Sequence, residues 1–192
     1  MSISRRRFIA TTAATSAALA TPKLGSAAST ANRQPKQCLN PVESDAVFSD
    51  AVFSERARHV LQLANRERLE MQHWYIGSEH LLLGLFAESD FSGTHWLEDT
   101  GVHYDDISCV AHYVIGTGDN EISAGKPVQS DNLQACLDSA IDLACESGFS
   151  EVQPEHLMLS IVETFGTRAN ELLQEMWIER GQLRQVAETS LV

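Results

Sequence analysis

The stretch IGSEHLLLGLF, from Ile76 to Phe86, decides the fold because a close copy, VQPEHLMLSIV, follows from Val152 to Val162. The two copies align at an offset of 76 residues, and the alignment continues without a gap far beyond them. Matched positions include Ser54 with Ser130, Leu61 with Leu137, Leu97 with Leu173 and Ala111 with Ala187. Matches spread over a whole unit indicate an internal duplication.

Each copy has the apolar spacing of helices. Apolar residues recur at steps of three and four over 57–64 and again over 133–144, as one buried helix face requires. Ser54 and Ser130 are placed to cap these two helices. Glu-His-Leu opens a shorter, more apolar helix in each copy, and two more helices follow at about 93–100 and 104–115, then at 167–177 and 179–190. We therefore expect an all-α fold of two tandem, pseudo-symmetric four-helix repeats, with eight helices and no strand.

Equivalent positions carry two finer predictions. A small residue stands at the same place in both apolar helices, Gly84 in one and Ser160 in the other, which predicts a close helix crossing. His80 and His156 are also equivalent, and this favours a shared packing or hydrogen-bonding role over metal binding.

The amino-terminal residues have the order of an export signal. Arg5-Arg6-Arg7 precedes Phe8, a mildly apolar run extends to Ala20, and small residues follow. The paired arginines are typical of a twin-arginine signal, which a receptor reads and which leaves no membrane span after cleavage. We predict a signal peptide at 1–28, a linker at 29–51 and a helical domain at 52–192, with repeat one at about 53–116, a connector at 117–127 and repeat two at about 128–192.

Charge and cysteine content limit the partners. The formal net charge of −12 argues against nucleic acid, which needs clustered lysine and arginine. Cys136 and Cys145 lie nine residues apart on one predicted helix, about 13 Å, so they cannot form a disulfide with each other. We expect them to be packing residues, whereas Cys38 lies in the linker.

The stretch FSERARHVLQLANRERLEMQHWYIGSEHLLLGL, from Phe53, closely resembles the amino-terminal double-repeat domain of the Clp protein-unfolding ATPases of the ClpA and ClpC type. That family opens its first helix with a pattern such as Phe-Ser/Thr-x-x-Ala and its second with Gly-Thr-Glu-His-Leu-Leu-Leu-Gly-Leu. The resemblance covers roughly residues 52–192. The second copy departs from the family pattern at Gln153-Pro154, where the family has Gly-Thr.

The resemblance implies a docking domain for protein substrates and adaptors. In some ClpC-type members, the glutamate of each Gly-Thr-Glu-His recognises phosphorylated arginine, and the matching residues here are Glu79 and Glu155. A carboxylate suits a guanidinium group, while a helix amino terminus suits a phosphate. Ser78 keeps the hydroxyl that accompanies Glu79, but Pro154 lacks one, which puts a second equivalent site in doubt.

No catalytic pattern accompanies these residues. The sequence has neither a phosphate-binding Gly-x-x-x-x-Gly-Lys-Ser/Thr loop nor a Gly-x-Ser-x-Gly elbow, so we expect no ATPase or hydrolase activity and no cofactor. His95, His103 and His112 are spaced by eight and nine residues, unlike a zinc motif, so no metal is predicted. Trp74, Trp96 and Trp177 are interpreted as core residues or groove walls.

Three functions remain open at this stage. The first is an exported, non-catalytic module that binds a protein or peptide, with arginine-bearing or phosphoarginine-bearing ligands as candidates. The second is a cytoplasmic adaptor or competitor of a Clp ATPase, which requires residues 1–28 to be inert as a signal. The third is an exported metal-dependent protein built on the same helical bundle.

Overall fold

The computed structural model describes residues 52–118 and 127–192, so the predicted signal peptide, linker and central connector lie wholly or mostly outside the described residues. Eight helices are found among the residues described. They are α1 (Glu55–Glu70), α2 (Ser78–Ala87), α3 (Ser92–Asp99) and α4 (Tyr104–Ile115), followed by α5 (Asp131–Ser147), α6 (Pro154–Glu163), α7 (Arg168–Glu175) and α8 (Arg180–Ser190). The predicted helical fold, with four helices on each side of the connector, is confirmed.

The predicted caps form at the first helix of each copy. The Oγ of Ser54 accepts a hydrogen bond from the backbone N–H of Ala57 at 3.2 Å, and the Oγ of Ser130 accepts one from Leu133 at 3.1 Å. Each bond satisfies a helix donor that would otherwise have no partner.

The apolar helices α2 and α6 form the centre of the molecule. Nine of the ten residues of each are buried, including the polar residues of their first turns. Gly84 permits the close crossing of α1 and α2, since a Cβ there would lie 2.6 Å from the carbonyl oxygen of Val60 and 2.7 Å from the backbone nitrogen of Ala64. The predicted close approach at this position is therefore confirmed.

The expectation of no strand is wrong in one respect. Strand β1 (Tyr75–Ile76) pairs in parallel with β2 (Val128–Gln129), and Phe53 forms an isolated parallel bridge with Val152. The offset of the duplication relates one pairing to the other, because Phe53 is equivalent to Gln129 and Val152 to Ile76. Pairs this short leave no alternating pattern in a sequence, so periodicity could not reveal them.

These pairings connect the repeats to each other. In each copy, the residues before the first helix pair with the residues before the apolar helix of the other copy. The capping serines extend this arrangement, since Ser54 N–H donates to the carbonyl of Val152 at 3.0 Å and Ser130 N–H donates to that of Ile76 at 2.9 Å. Further contacts join α3 to α8 and α7 to α4, again as an equivalent pair. The two repeats therefore share one core.

The cysteines and tryptophans of the described residues differ in how deeply they are buried. Cys136 is buried on the intact helix α5, as predicted for a packing residue, and Cys145 on the same helix is half-buried. Of the tryptophans interpreted as core residues or groove walls, Trp74 is 58% and Trp177 is 91% exposed, so neither is a core residue, whereas Trp96 packs partly against the core. None of the helices in the described part of the chain is long and apolar enough to cross a membrane.

Candidate ligand-binding site

Ser78 and Glu79, two of the three predicted ligand residues, lie in the first turn of α2 in repeat one. Gly77 precedes the helix as its N-cap residue in extended conformation. The side chains are deeply placed, with Ser78 fully buried and Glu79 only 2% exposed. A carboxylate here lies at the positive end of a helix, where it is electrostatically favoured.

The carboxyl group of Glu79 folds back over Gly77. A Cβ at position 77 would lie 2.5 Å from Oε1 and 2.6 Å from Cδ of Glu79, so any residue other than glycine would displace the carboxyl group. The carboxyl group receives hydrogen bonds from its own backbone N–H and from the hydroxyls of Tyr75 and Ser78. Its Oε1 atom is nevertheless buried without a hydrogen-bond partner. This oxygen is an unsatisfied acceptor at the amino terminus of α2.

Burial raises the pKa of Glu79 above its ordinary value. The hydrogen bonds from the Glu79 N–H, Tyr75 and Ser78, together with the charge of Arg168, lower the pKa and oppose part of that shift. A guanidinium group reaching Oε1 would favour the ionised carboxylate further, because it adds charge-assisted hydrogen bonds.

Ser78 connects this turn to repeat two. Its Oγ accepts a hydrogen bond from the backbone N–H of Ala169 at 3.4 Å, in the first turn of α7. The amino-terminal ends of α2 and α7 therefore lie side by side, and the side chain of Arg168, at the first position of α7, remains exposed. Arg168 also pairs with Glu171 at 3.2 Å. Two helix amino termini therefore lie beside the Glu79 carboxyl group, and such termini favour an anionic group.

Aromatic side chains adjoin the carboxyl group. Tyr75 is half-buried and donates to Glu79, and its ring contacts the exposed indole of Trp74 edge-on at 5.5 Å between ring centroids. On its other side, Tyr75 stacks on the imidazole of His73, also at 5.5 Å. An exposed aromatic surface therefore lies next to a buried acid.

A histidine pair supports the turn from inside. The Nδ1 atom of His80 accepts the backbone N–H of Gly77 at 2.9 Å, so the proton of the neutral ring must lie on Nε2. This Nε2–H faces Nδ1 of His73 at 2.8 Å. Burial and the nearby His73 and Arg68 lower the pKa of His80 to about 3. The contact between His80 and Glu79 at 3.5 Å is therefore no ion pair at neutral pH.

The same residues form a potential metal-ligand group. Within the described ranges, His73, Glu79 and His80 are the set of three whose ligand atoms lie within 4.8 Å of one another, and the set considered from the sequence, His95, His103 and His112, is not such a group. Both ring nitrogens of His80 already take part in hydrogen bonds. A metal would have to displace the proton between the two histidines, so this arrangement fits a hydrogen-bonded support better than a metal centre.

Glu155, the third predicted ligand residue, has a different environment. It is 4% exposed, and its Oε1 lies 3.6 Å from a guanidinium nitrogen of Arg56 in repeat one. Gln153 and Pro154 replace the glycine and the serine that shape the Glu79 turn. His156 still accepts the backbone N–H of Gln153 at 3.0 Å, which confirms the shared hydrogen-bonding role of the two equivalent histidines. The two glutamates are thus equivalent in position and different in chemistry.

Sequence reasoning missed several residues of this site. Tyr75, His73 and Arg168 belong to no motif, and only the fold places Arg168 beside residues that lie some 90 positions earlier in the chain, as the Ser78–Ala169 bond records. Gly77 was detectable, because it differs from Gln153 at the equivalent position, yet its role depends on where the Glu79 side chain folds.

Comparison with known proteins agrees with the architecture. Residues 9–100 and 129–192 match the Clp repeat (R) N-terminal domain family. The first matched segment begins at residue 9, within the stretch interpreted above as a signal peptide.

Individual relatives fall in the same group. The chain is 28% identical over 133 residues to a probable ATP-dependent Clp protease ATP-binding subunit from Chlamydia pneumoniae, and the match covers 69% of the chain and 16% of that protein. It is 30% identical, with the same coverage of both chains, to the negative regulator of genetic competence ClpC/MecB from Bacillus subtilis. The match thus spans about a sixth of the length of these relatives.

Solved structures share the fold. The N-terminal domain of the chaperone ClpD from Arabidopsis thaliana superposes with a TM-score of 0.61 at 19% identity, covering 72% of this chain and 94% of that one. The Hsp104 N-terminal domain from Candida albicans gives a TM-score of 0.56 at 12% identity, covering 71% of this chain and 89% of that one. At these identities the likeness shows the fold alone.

Proposed function

Because the chain belongs to the Clp repeat (R) N-terminal domain family, we propose that it is a non-catalytic module that binds protein or peptide ligands. The ligand group that fits best is a phosphorylated arginine side chain, held at the α2 turn of repeat one. The observation that carries this proposal is the buried Oε1 atom of Glu79, which lacks a hydrogen-bond partner beside an exposed aromatic surface.

The two halves of such a ligand find complementary groups. The guanidinium part would donate to Glu79 Oε1, as charge-assisted pairing favours. The phosphoryl part would lie against the helix ends and Arg168, whose cation is near enough to lower the pKa of both Glu79 and Tyr75. Because Oε1 is buried, a ligand reaches it only if a neighbouring side chain moves, and the half-buried Tyr75 is the side chain that we expect to move.

A matched pair of variants tests the proposal. Isothermal titration of a peptide that carries one phosphoarginine should give one binding site, and Glu79→Gln should weaken the affinity by about tenfold or more through loss of a charged acceptor. Glu155→Gln is the control, because its position is equivalent and its carboxylate already contacts Arg56. Equal losses in the two variants, or no binding by the unchanged protein, would reject the site.

We further propose that the protein is exported through the twin-arginine pathway. The arrangement of Arg5, Arg6 and Phe8 before a mildly apolar run supports this. A reporter fused to residues 1–31 should leave the cytoplasm, and replacement of Arg5 and Arg6 by lysine should stop it. Because the family match begins at residue 9, the amino terminus of the mature protein should also be sequenced.

Retention of the reporter in the cytoplasm would favour the alternative, an adaptor or competitor of a Clp ATPase. Both versions keep the same ligand site and differ in the compartment where ligands are met. The reporter experiment and the titration therefore fail independently of each other.

A further inference from the structure

A cavity that lies away from the Glu79 turn has acidic lining residues that favour a cation. It has a volume of about 340 Å³ and lies between the ends of α1 and α2, helix α3 and the start of α4. Leu63 and Phe86 supply apolar lining, while Glu67 and Glu98 supply acidic groups. We call this cavity the acidic pocket.

Glu67 is the central group of the acidic pocket. The residue is 4% exposed, and its carboxyl group shares a hydrogen bond with the hydroxyl of Tyr104. The Oε2 atom is buried and has no hydrogen-bond partner. A buried carboxylate oxygen without a donor is costly, so a cation that donates to it would be bound favourably.

Arg66, the arginine in the lining of the pocket, does not supply that donor. The Nε of Arg66 lies 3.0 Å from Oε1 of Glu70, one turn further along α1, and both side chains are largely exposed. Because the charges of Arg66 and Glu70 cancel, the carboxyl groups of Glu67 and Glu98 remain in the lining without a matching basic group. The chain is acidic as a whole, at −12, so the field around the pocket also attracts cations.

Repeat two provides an internal comparison. A cavity of about 660 Å³ in repeat two has among its lining residues Phe165, Asn170, Gln174 and Arg180, which are equivalent to Ser89, Thr94, Glu98 and Tyr104 of the acidic pocket. Glu67 itself is replaced by Leu143. The guanidinium of Arg180 lies over the ring of Phe165 at 4.6 Å, so a cation already occupies this wall. Glu171 and Glu179 also line this cavity, so both copies keep acidic groups there. The copies differ in the buried Glu67, which only repeat one has, and in Phe165 and Arg180, which only repeat two has.

We propose that the acidic pocket binds the cationic side chain of a lysine or arginine from a partner polypeptide. The aliphatic part of the side chain packs on Leu63 and Phe86, and its charged end donates to Oε2 of Glu67. The cavity is large enough for one such side chain, and its apolar lining would not stabilise an inorganic ion. The polypeptide source of the cation rests on the proposed function. The preference of the acidic pocket for a cation is independent of that function.

The electrostatics of Glu67 add a pH signature. Burial raises the pKa of Glu67 and the charge of Glu70 raises it further, while the Tyr104 hydrogen bond, Arg66 and His112 lower it. A bound cation favours the ionised form, so binding should release a proton and strengthen as the pH rises through the pKa of Glu67.

Heteronuclear NMR titration with three probes tests the pocket. The first is an acetylated glycine peptide with one central arginine, the second replaces that arginine with glutamine, and the third is agmatine, a free guanidinium compound. The arginine peptide should shift the amides around Glu67, Phe86 and Tyr104, and the glutamine peptide should not. Tighter binding of the peptide than of agmatine supports a polypeptide source, whereas equal affinity would overturn that part and assign a site for small cations.

Variants separate this site from the Glu79 site. Glu67→Gln can still accept from Tyr104 but loses its charge, so arginine-peptide affinity should fall by about tenfold or more. Glu146→Gln is the control, because Glu146 is exposed at the position of repeat two equivalent to Glu70. The shifts of the amides near Glu67 report this affinity separately from any binding of the peptide at the Glu79 turn. If Glu67→Gln does not fold, the exposed Glu98→Gln replaces it, and undiminished binding in the folded variant would overturn the proposal.

Discussion

Trp177 adopts a left-handed backbone conformation, with φ of 57°, although its indole is 91% exposed. Repeat one has Gly101 at the equivalent position, also with positive φ. Both residues follow a short helix, and the next residue closes the turn, with Ile178 N–H donating to Leu173 and Val102 N–H to Leu97. A side chain in this conformation costs about 1–2 kcal/mol relative to glycine. Trp177 therefore occupies a strained position without compensating burial.

Replacing Trp177 by glycine should stabilise the protein by about 1 kcal/mol, because the left-handed conformation is then free of strain. Urea denaturation measures the change. Gly101→Ala is the matched control and should destabilise by a similar amount. A loss of stability in Trp177→Gly would mean that the exposed indole makes a stabilising contact that the structure does not contain.

The pKa of His80 makes stability depend on pH with a definite sign. The unfolded imidazole titrates at about 6.5, whereas the folded value is about 3. Below pH 6.5 the imidazole of His80 takes up a proton in the unfolded chain but stays neutral in the folded chain. The contribution of His80 to the stability is therefore complete above pH 6.5 and is lost as the pH falls toward about 3.

His80→Asn tests this dependence, since an asparagine oxygen can replace Nδ1 as acceptor from Gly77 but cannot take up the proton. The slope of unfolding free energy against pH should fall by up to about 1.4 kcal/mol per pH unit in that window. At neutral pH, His80→Asn should cost about 1–3 kcal/mol more than His156→Asn, because it also leaves His73 without its partner. The buried Nε2 of His156 has no partner to lose. Equal costs would contradict the hydrogen-bond assignment.

At the scale of elements, the crossing of α1 and α2 depends on a missing side chain. A Cβ on Gly84 would meet backbone atoms of Val60 and Ala64, which cannot move without shifting α1. In α6, by contrast, the equivalent Ser160 is buried and its hydroxyl donates to the carbonyl of Leu157 in its own helix. The two crossings therefore tolerate different side chains.

Gly84→Ala should destabilise the protein by about 1–3 kcal/mol through overpacking, although alanine favours a helix by about 1 kcal/mol. Thermal unfolding of the variant checks this expectation. Ser160→Ala should cost less than about 1 kcal/mol, because it removes one hydrogen bond within a helix and adds no atoms. A neutral or stabilising effect of Gly84→Ala would show that α1 and α2 can separate without loss.

The helices could be predicted from sequence more fully than the site. Their apolar spacing and caps are local, so the bounds of α4 agreed with the prediction and those of α3, α7 and α8 differed by one or two residues. The strand pairings and Arg168 depend on contacts between the two copies, which no local pattern encodes. The exposure of Trp74 and Trp177 was missed for a related reason, because residue type gives only an average tendency to be buried.

At the scale of the whole molecule, the exchanged pairings make each repeat incomplete alone. A fragment of residues 52–118 would lose the partners of β1 and Phe53 and would expose the apolar faces of its helices. We expect this fragment to unfold without cooperativity by circular dichroism, and mixing with residues 119–192 to restore the helical signal. Cooperative unfolding of the isolated fragment would contradict a shared core.

We infer that the duplicated helical module binds a polypeptide through one of its two equivalent turns. Chemical-shift mapping with a phosphoarginine peptide tests this most directly. Perturbations should centre on residues 73–80 and on Arg168 and Ala169, with residues 149–156 of repeat two unaffected. Equal perturbation of both turns, or perturbation of neither, would contradict the account.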